Sequence, residues 1–403
     1  MKIVFLAPFG IRPKGTVIAR MLPLAVELQK LGHEVVIVAP PYTNPEDSGK
    51  SEIVAGVRLV NIALDSSHKV LAAPILAWRM FRTALAEKPD LVHLFKPKGY
   101  GGLAAMLHLL LQQFGLRLAP LLLDTDDWEG DGGMNELHGY SSLEKRFYHF
   151  QEQWITRRVV GVTVASRALE VMVAAMGIPR QRLLYLPNCV GDPPPGDGTA
   201  LRKRMGIAPE TPVVLLYTRF FEFSQEKLHF LLAEIFRQIP GVRFLVVGKG
   251  RMGEEDLLLA AGRKMGFAPA LVMAGWVEPV SLPDHLAAGD LALYPFSDTL
   301  VNRTKCPAKL TEILLAEKAV IADNVGQLAE YIDPGRSGIL CVPDNWEEMA
   351  NQAVRLLNDP EQRRAVGESG GRYLRERFRW FDFAQRLDNL YVECVSAGSE
   401  RNS

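Results

Sequence analysis

The stretch KIVFLAPFGIRPKGTVIARMLPLAVELQKLGHEVVIVA, residues 2–39, decides the fold. Lys2 to Ala7 reads as an apolar strand, Pro8 to Gly15 as a Gly/Pro loop, and Thr16 to Leu31 as an amphipathic helix capped by Gly32. Glu34 to Ala39 is a second apolar strand. Neither strand alternates polar with apolar residues, so both belong in a parallel sheet covered on each face, and the segment is a βαβ unit.

The pattern continues outward. Further strands are expected at Val57–Ile62, Leu91–Phe95, Leu118–Asp124, Gly161–Ala165 and Leu183–Pro187. Gly191-Asp192-Pro193-Pro194-Pro195-Gly196-Asp197-Gly198 then interrupts it, because Pro and Gly at this density enter neither a helix nor a central strand. Beyond this linker the alternation restarts, with a strand at Val213–Tyr217, a helix at Gln225–Gln238, and strands at Arg243–Val247, Leu271–Ala274, Leu291–Tyr294, Ala319–Ala322 and Gly338–Val342. Helices are expected at Trp346–Asn358 and from about Phe381 to Val395. Two successive α/β units suit a chain of 403 residues, and ligands of such units bind at the carboxyl ends of the strands.

Composition narrows the function classes. Formal net charge is zero, which offers no general field for nucleic acid. Residues 1–190 hold 21 Lys and Arg against 17 Asp and Glu, a mild excess that allows peripheral contact with an anionic membrane face. Cys189, Cys306, Cys341 and Cys394 are widely spaced, which argues against a zinc site or a disulfide framework and fits a reducing cytoplasm. The apolar stretch Leu103 to Leu123 carries His108, Gln112, Gln113 and Arg117, so it reads as a buried helix and strand, not a membrane span. A nicotinamide-dependent dehydrogenase would need G-x-G-x-x-G after the first strand, and Pro8 to Gly15 lacks that spacing.

Residues 302–323, NRTKCPAKLTEILLAEKAVIAD, concentrate candidate chemistry. Pro307 starts a helix, whose free N–H groups and partial positive charge hold phosphate, and Arg303, Lys305 and Lys309 crowd the same end. This segment resembles the donor motif of the group 1, retaining glycosyltransferases, a Glu, seven residues and a second Glu. Glu312 matches the second, which in the family accepts from the nucleotide ribose; Thr304 stands in place of the first. Tyr217-Thr218-Arg219-Phe220 resembles the family's G-R segment, with Lys227 as its following Lys, and these two cations would hold the diphosphate. Gly248 and Gly250 of Val246-Val247-Gly248-Lys249-Gly250 resemble the V-G-x-G strand end, Val277 the backbone contact to the base, and Gly15 the glycine near the transferred sugar. Trp380 fits the family's Trp before the closing helix.

The resemblance implies an α/β fold of GT-B type, two Rossmann-like domains facing each other across a cleft. Residues 1–190 would bind the acceptor and 191–379 the nucleotide sugar, with a helix at about 380–396 crossing back to the first. Asp124-Thr125-Asp126-Asp127-Trp128-Glu129 crowds four carboxylates at a strand end of the first domain, which calls for cations or donor hydroxyls to relieve them. Asp124, Asp126, Asp127 and Glu129, helped by His138, are read as acceptor-hydroxyl binders, with Asp126 and Asp127 nearest the chemistry. His93 reads as structural, and Phe95 occupies the place of the family's second His. The expected function is transfer of a hexosyl unit from a nucleotide-diphospho-sugar to a sugar or lipid-linked acceptor with retention, without a metal or other cofactor. The alternatives are a nucleotide-sugar 2-epimerase and a non-catalytic subunit of a polysaccharide assembly.

Overall fold

The structure, a computed structural model, describes residues 1–12, 15–64 and 69–400. The chain divides into two compact units. The first holds Met1–Cys189, Thr304–Cys306 and the segment from Trp380; the second holds Val190–Arg303 and Pro307–Arg379.

The first unit is built on β1 (Lys2–Leu6), β2 (Glu34–Ala39), β3 (Ser51–Val54), β4 (Val57–Asn61), β5 (Leu91–Phe95), β6 (Leu121–Thr125), β7 (Gly161–Val164) and β8 (Leu183–Tyr185). They form one sheet in the order β3-β4-β2-β1-β5-β6-β7-β8. All neighbours are parallel except β3 and β4. Strand β1 sits between β2 and β5 with Ile3 level with Val35 and Leu91, and Ile3, Val4 and Phe5 are wholly buried. The hairpin of β3 and β4 was not expected: Ser51 and Glu52 give its edge strand no apolar run, and Ala55 and Gly56 turn it with φ of 49° and 81°. The helix expected over Thr16–Leu31 is two pieces, a wide π turn at Val17–Met21 and an α-helix at Leu22–Lys30. Pro23 explains the break, since it lacks an N–H and its ring crowds the carbonyl four residues back.

The second unit carries β9 (Val213–Tyr217), β10 (Arg243–Val247), β11 (Leu271–Gly275), β12 (Leu291–Tyr294), β13 (Ala319–Asp323) and β14 (Ile339–Cys341). Their order is β11-β10-β9-β12-β13-β14, all parallel. Each sheet therefore reverses its winding once, between β1 and β5 in the first and between β9 and β12 in the second. At such a point the loops leave the carboxyl ends in opposite directions and open a crevice.

The closing helix Trp380–Glu400 belongs to the first unit and docks through Asp388 on His33 (2.9 Å) and Tyr391 on His93 (2.7 Å). His93 lies at the centre of the sheet with no exposure, and burial pushes its imidazole down to about 4. An unfolded chain takes up this proton near pH 6.5 and the native one does not. Native stability is thus complete above pH 6.5 and falls below it, by about 3 kcal/mol at pH 4 from this residue alone. Thermal melts of wild type and His93→Asn across pH 4–7 should show the shallower dependence in the variant; equal slopes would count against this source of acid sensitivity. Among the described residues no helix is long and apolar enough to cross a membrane.

Candidate functional site

In the second unit the crevice at β9 and β12 gathers Arg219, Lys309 and Glu312 around Tyr217. Strand β9 ends at Tyr217, and Thr218 stays tied to the sheet through its N–H on the Val247 carbonyl (2.9 Å). The Thr218 hydroxyl then accepts from the Phe220 N–H (2.8 Å), and buried Phe220 takes a left-handed φ of 66°. This sharp turn puts Arg219 on the surface at the strand's carboxyl end. Among the described residues Arg219 makes no hydrogen bond or ion pair.

Helix Ala308–Leu315 begins at the same crevice, with Pro307 as its N-cap. From its first turn Lys309 lies 5.6 Å from the Tyr217 ring centroid and 3.7 Å from the Glu222 carboxylate. Glu312, one turn on, accepts from the Tyr217 hydroxyl; burial, then Glu312, pushes that phenol well above its ordinary range. Tyr217 and Glu222 were not singled out from the sequence. Their signal was available in the stretch Tyr217 to Glu222 directly after a central strand, the place where α/β ligands are met.

Several sequence expectations need correction here. Lys227 does not face the crevice: it is 1% exposed, and its ammonium sits on both oxygens of Asp323 at 2.6 and 2.7 Å. Asp323 also accepts from the Phe296 N–H (2.6 Å), so Lys227 is a structural cation tying the helix Gln225–Gln238 to the end of β13. Arg303 is clamped by Asp298 at 2.5 and 2.7 Å, which neutralises it. Lys305 lies in Thr304–Cys306, a segment of the first unit, where Ser166 donates to the Thr304 carbonyl and Asn188 to the Cys306 carbonyl. Gly248 answers a packing need, since a Cβ there would lie 1.9 Å from the Thr218 carbonyl at φ 119°. The Gly250 N–H is held by Glu255 (2.8 Å), and Val277 is half-buried beyond Gly275. Gly15 is half-buried and its carbonyl accepts from Ala19 (3.0 Å); Pro13 and Lys14 of the same expected loop lie outside the described residues.

In the first unit the crowded carboxylates are relieved by two lysines that follow β5. Lys96, at φ 63°, reaches Asp126 (2.9 Å), Asp127 (2.6 Å) and Glu129 (3.5 Å). Lys98 reaches Glu129 (2.6 Å) and Asn135 (2.9 Å). Behind them Glu152, from helix Ser142–Thr156, accepts from the Glu129 N–H (2.8 Å). Burial and then the Glu129 charge push Glu152 well above the ordinary carboxylate range. Asp126 and Asp127 retain partly exposed side chains, but Glu129 is 2% exposed and is not available to an acceptor. Nor is Asp124. It has no exposure and takes a bidentate pair from Arg20 (2.7 and 2.6 Å) plus the Thr163 hydroxyl, which makes it a keystone of the sheet. His138 is half-buried and packs on Tyr140, its ring 5.3 Å away. The pair Lys96-Pro97-Lys98 beside an acidic strand end was the signal for this network, since β5 and β6 are neighbours. Among the described residues no group of three or more His, Cys, Asp or Glu could hold a metal ion.

Comparison with known proteins adds the family context. Residues 15–189 match the glycosyl transferase 4-like domain, and residues 211–359 match the glycosyl transferases group 1. The chain is 23% identical over 392 residues to a glycogen synthase of Mycobacterium tuberculosis, covering 92% of this chain and 89% of that one. It is 27% identical over 361 residues to a GDP-mannose-dependent phosphatidylinositol monomannoside mannosyltransferase of the same organism, covering 88% of each. Among solved structures, sucrose-phosphate synthase of Thermosynechococcus elongatus superposes with a TM-score of 0.77 at 18% identity, over 98% of this chain and all of that one. An Anabaena protein in complex with UDP and glucose superposes at 0.72 with 20% identity, over 98% and 100%. These likenesses, with the two predominantly parallel sheets, give two Rossmann-like domains of GT-B type.

Proposed function

This chain belongs to the group 1 glycosyltransferases, and from that premise we propose that it moves a hexosyl unit from a nucleotide-diphospho-sugar onto an acceptor hydroxyl with retention of configuration. The observation that carries this reading is Arg219. It is exposed at the end of β9, without a described partner, while Lys227 and Arg303 are each neutralised by a carboxylate.

As the anomeric bond breaks, negative charge grows on the departing diphosphate. The Arg219 guanidinium offers a planar fork to two of its oxygens, Lys309 a point charge, and the helix start at Pro307 its partial positive charge. Charge placed beforehand where charge develops is commonly the largest catalytic contribution. Glu312 takes the ribose hydroxyls, in keeping with its match to the family's second Glu. With the acceptor on the same face as the leaving group, a phosphate oxygen accepts the acceptor proton, and no side-chain base is needed. That suits a chain with Phe95 where the family often has His. Asp126 and Asp127, held by Lys96, orient the acceptor from the first unit. Because side chains supply the positive charge in this scheme, turnover is expected to survive chelators.

The first test is thermal-shift screening against UDP, GDP, ADP and TDP. A nucleotide at a hundred times its dissociation constant should stabilise the chain by about 2.7 kcal/mol. Silence from all four would sink the reading. Incubation of the matching nucleotide sugar without acceptor should release nucleotide only slowly and yield no isomerised donor.

A further inference from the structure

The first unit holds a cavity of 830 Å³ that the donor chemistry does not use. It opens at the carboxyl ends of β1, β2 and β5 and is closed by the start of helix Ser142–Thr156. This is the reversal point of the first sheet. Aromatic side chains wall it: Phe9, Tyr42, Tyr100, Tyr140 and Tyr148, with His138 beside them. The rings meet edge to face in series, Phe9 to Tyr42 at 6.2 Å, Tyr42 to Tyr100 at 5.6 Å and Tyr140 to Tyr148 at 5.1 Å.

Three features define an occupant. The hydroxyls of Tyr42, Tyr100 and Tyr148 make no hydrogen bond to any described residue. Burial pushes all three phenols up, Tyr148 to about 12. The three phenols line one cavity, stay protonated at neutral pH and stand ready to donate. The cation in the wall, Lys98, lies 5.6–6.0 Å from the rings of Phe9, Tyr140 and Tyr148, but Glu129 and Asn135 already satisfy it. Among the described residues of the wall an anionic ligand finds no unmatched lysine or arginine. An alkyl chain would cover the rings yet leave three phenol hydroxyls dehydrated and unpaired, which is unfavourable. A neutral pyranose satisfies both demands, because its C–H faces lie on aromatic rings while its equatorial hydroxyls meet polar groups around the rim.

We propose that this cavity is a subsite for a neutral pyranosyl unit of the acceptor, bound by Tyr42, Tyr100 and Tyr148; the assignment to the acceptor rests on the glycosyl-transfer reading above. Screening the full chain on an array of neutral glycosides, with no nucleotide present, tests it. At least one pyranoside should bind and be competed by the free glycoside. Affinity should fall about tenfold for each hydroxyl removed in Tyr42→Phe and Tyr148→Phe, which keep the rings. Tyr100→Ala should lose binding outright while its circular dichroism matches wild type. An empty array overturns the proposal, as does undiminished binding in the double Phe variant. The nucleotide-induced thermal shift is read separately on the same proteins and should stay at the wild-type value. Its absence with sugar binding intact would strike the donor reading and not this one.

Discussion

Arg219→Ala should lower kcat by about 10²–10³-fold, with nucleotide-sugar KM changed far less. The magnitude follows from the loss of one preorganised donor to developing charge, about 2.7–4 kcal/mol. The direction follows from the turn that Thr218 and Phe220 build, which holds the guanidinium at the strand end with no ion pair to a carboxylate among the described residues. Arg219→Lys should recover part of the loss, because the charge returns but the two-pronged geometry does not. The control is Arg303→Ala. Its guanidinium is already held by Asp298 and exposed, so its removal should cost less than about tenfold. If Arg219→Ala turns over normally, or if Arg303→Ala is the more damaged enzyme, the diphosphate is held elsewhere.

How much of this was legible in the sequence depends on which physical signal each part carries. Strands β2, β5, β9, β10 and β12 run between the residues expected for them, because a parallel strand buried on both faces is a bare apolar run with polar ends. Edge strand β3 has no such run, and helix Lys69–Ala86 is masked by Pro74 in its interior, so neither was read. The functional residues were legible as types at positions, and their pairing was not. Lys227 and Asp323 are 96 residues apart, and Arg20 and Asp124 are 104 apart. A cation or carboxylate at a motif position looks the same in sequence whether its partner is a ligand or a distant strand end. The cavity of tyrosines was invisible for the same reason: Tyr42 follows β2, Tyr100 opens the helix Gly99–Gln113 and Tyr148 lies on the helix Ser142–Thr156, so they meet only in the folded unit.

That ambiguity is sharpest at Lys227, where a second large effect separates the two roles. Lys227→Met leaves the Asp323 carboxylate wholly buried without its cation, and breaking such a pair costs about 3–5 kcal/mol. Burial already pushes Asp323 up even with Lys227 beside it, so the single variant will favour the protonated acid and gain acid tolerance at the expense of stability near neutral pH. Lys227→Met combined with Asp323→Asn keeps an acceptor for the Phe296 N–H and removes both charges together. The double variant should recover roughly 1–3 kcal/mol of the loss by denaturant unfolding, a coupling typical of residues in direct contact. It should also show the wild-type nucleotide-induced thermal shift, since the Lys227 ammonium is directed into the core and not at the crevice around Tyr217. A diphosphate-binding Lys227 makes the opposite forecast: a well-folded double variant in which the nucleotide shift has collapsed. The stability measurement identifies the pair, and the ligand measurement decides what the lysine is for.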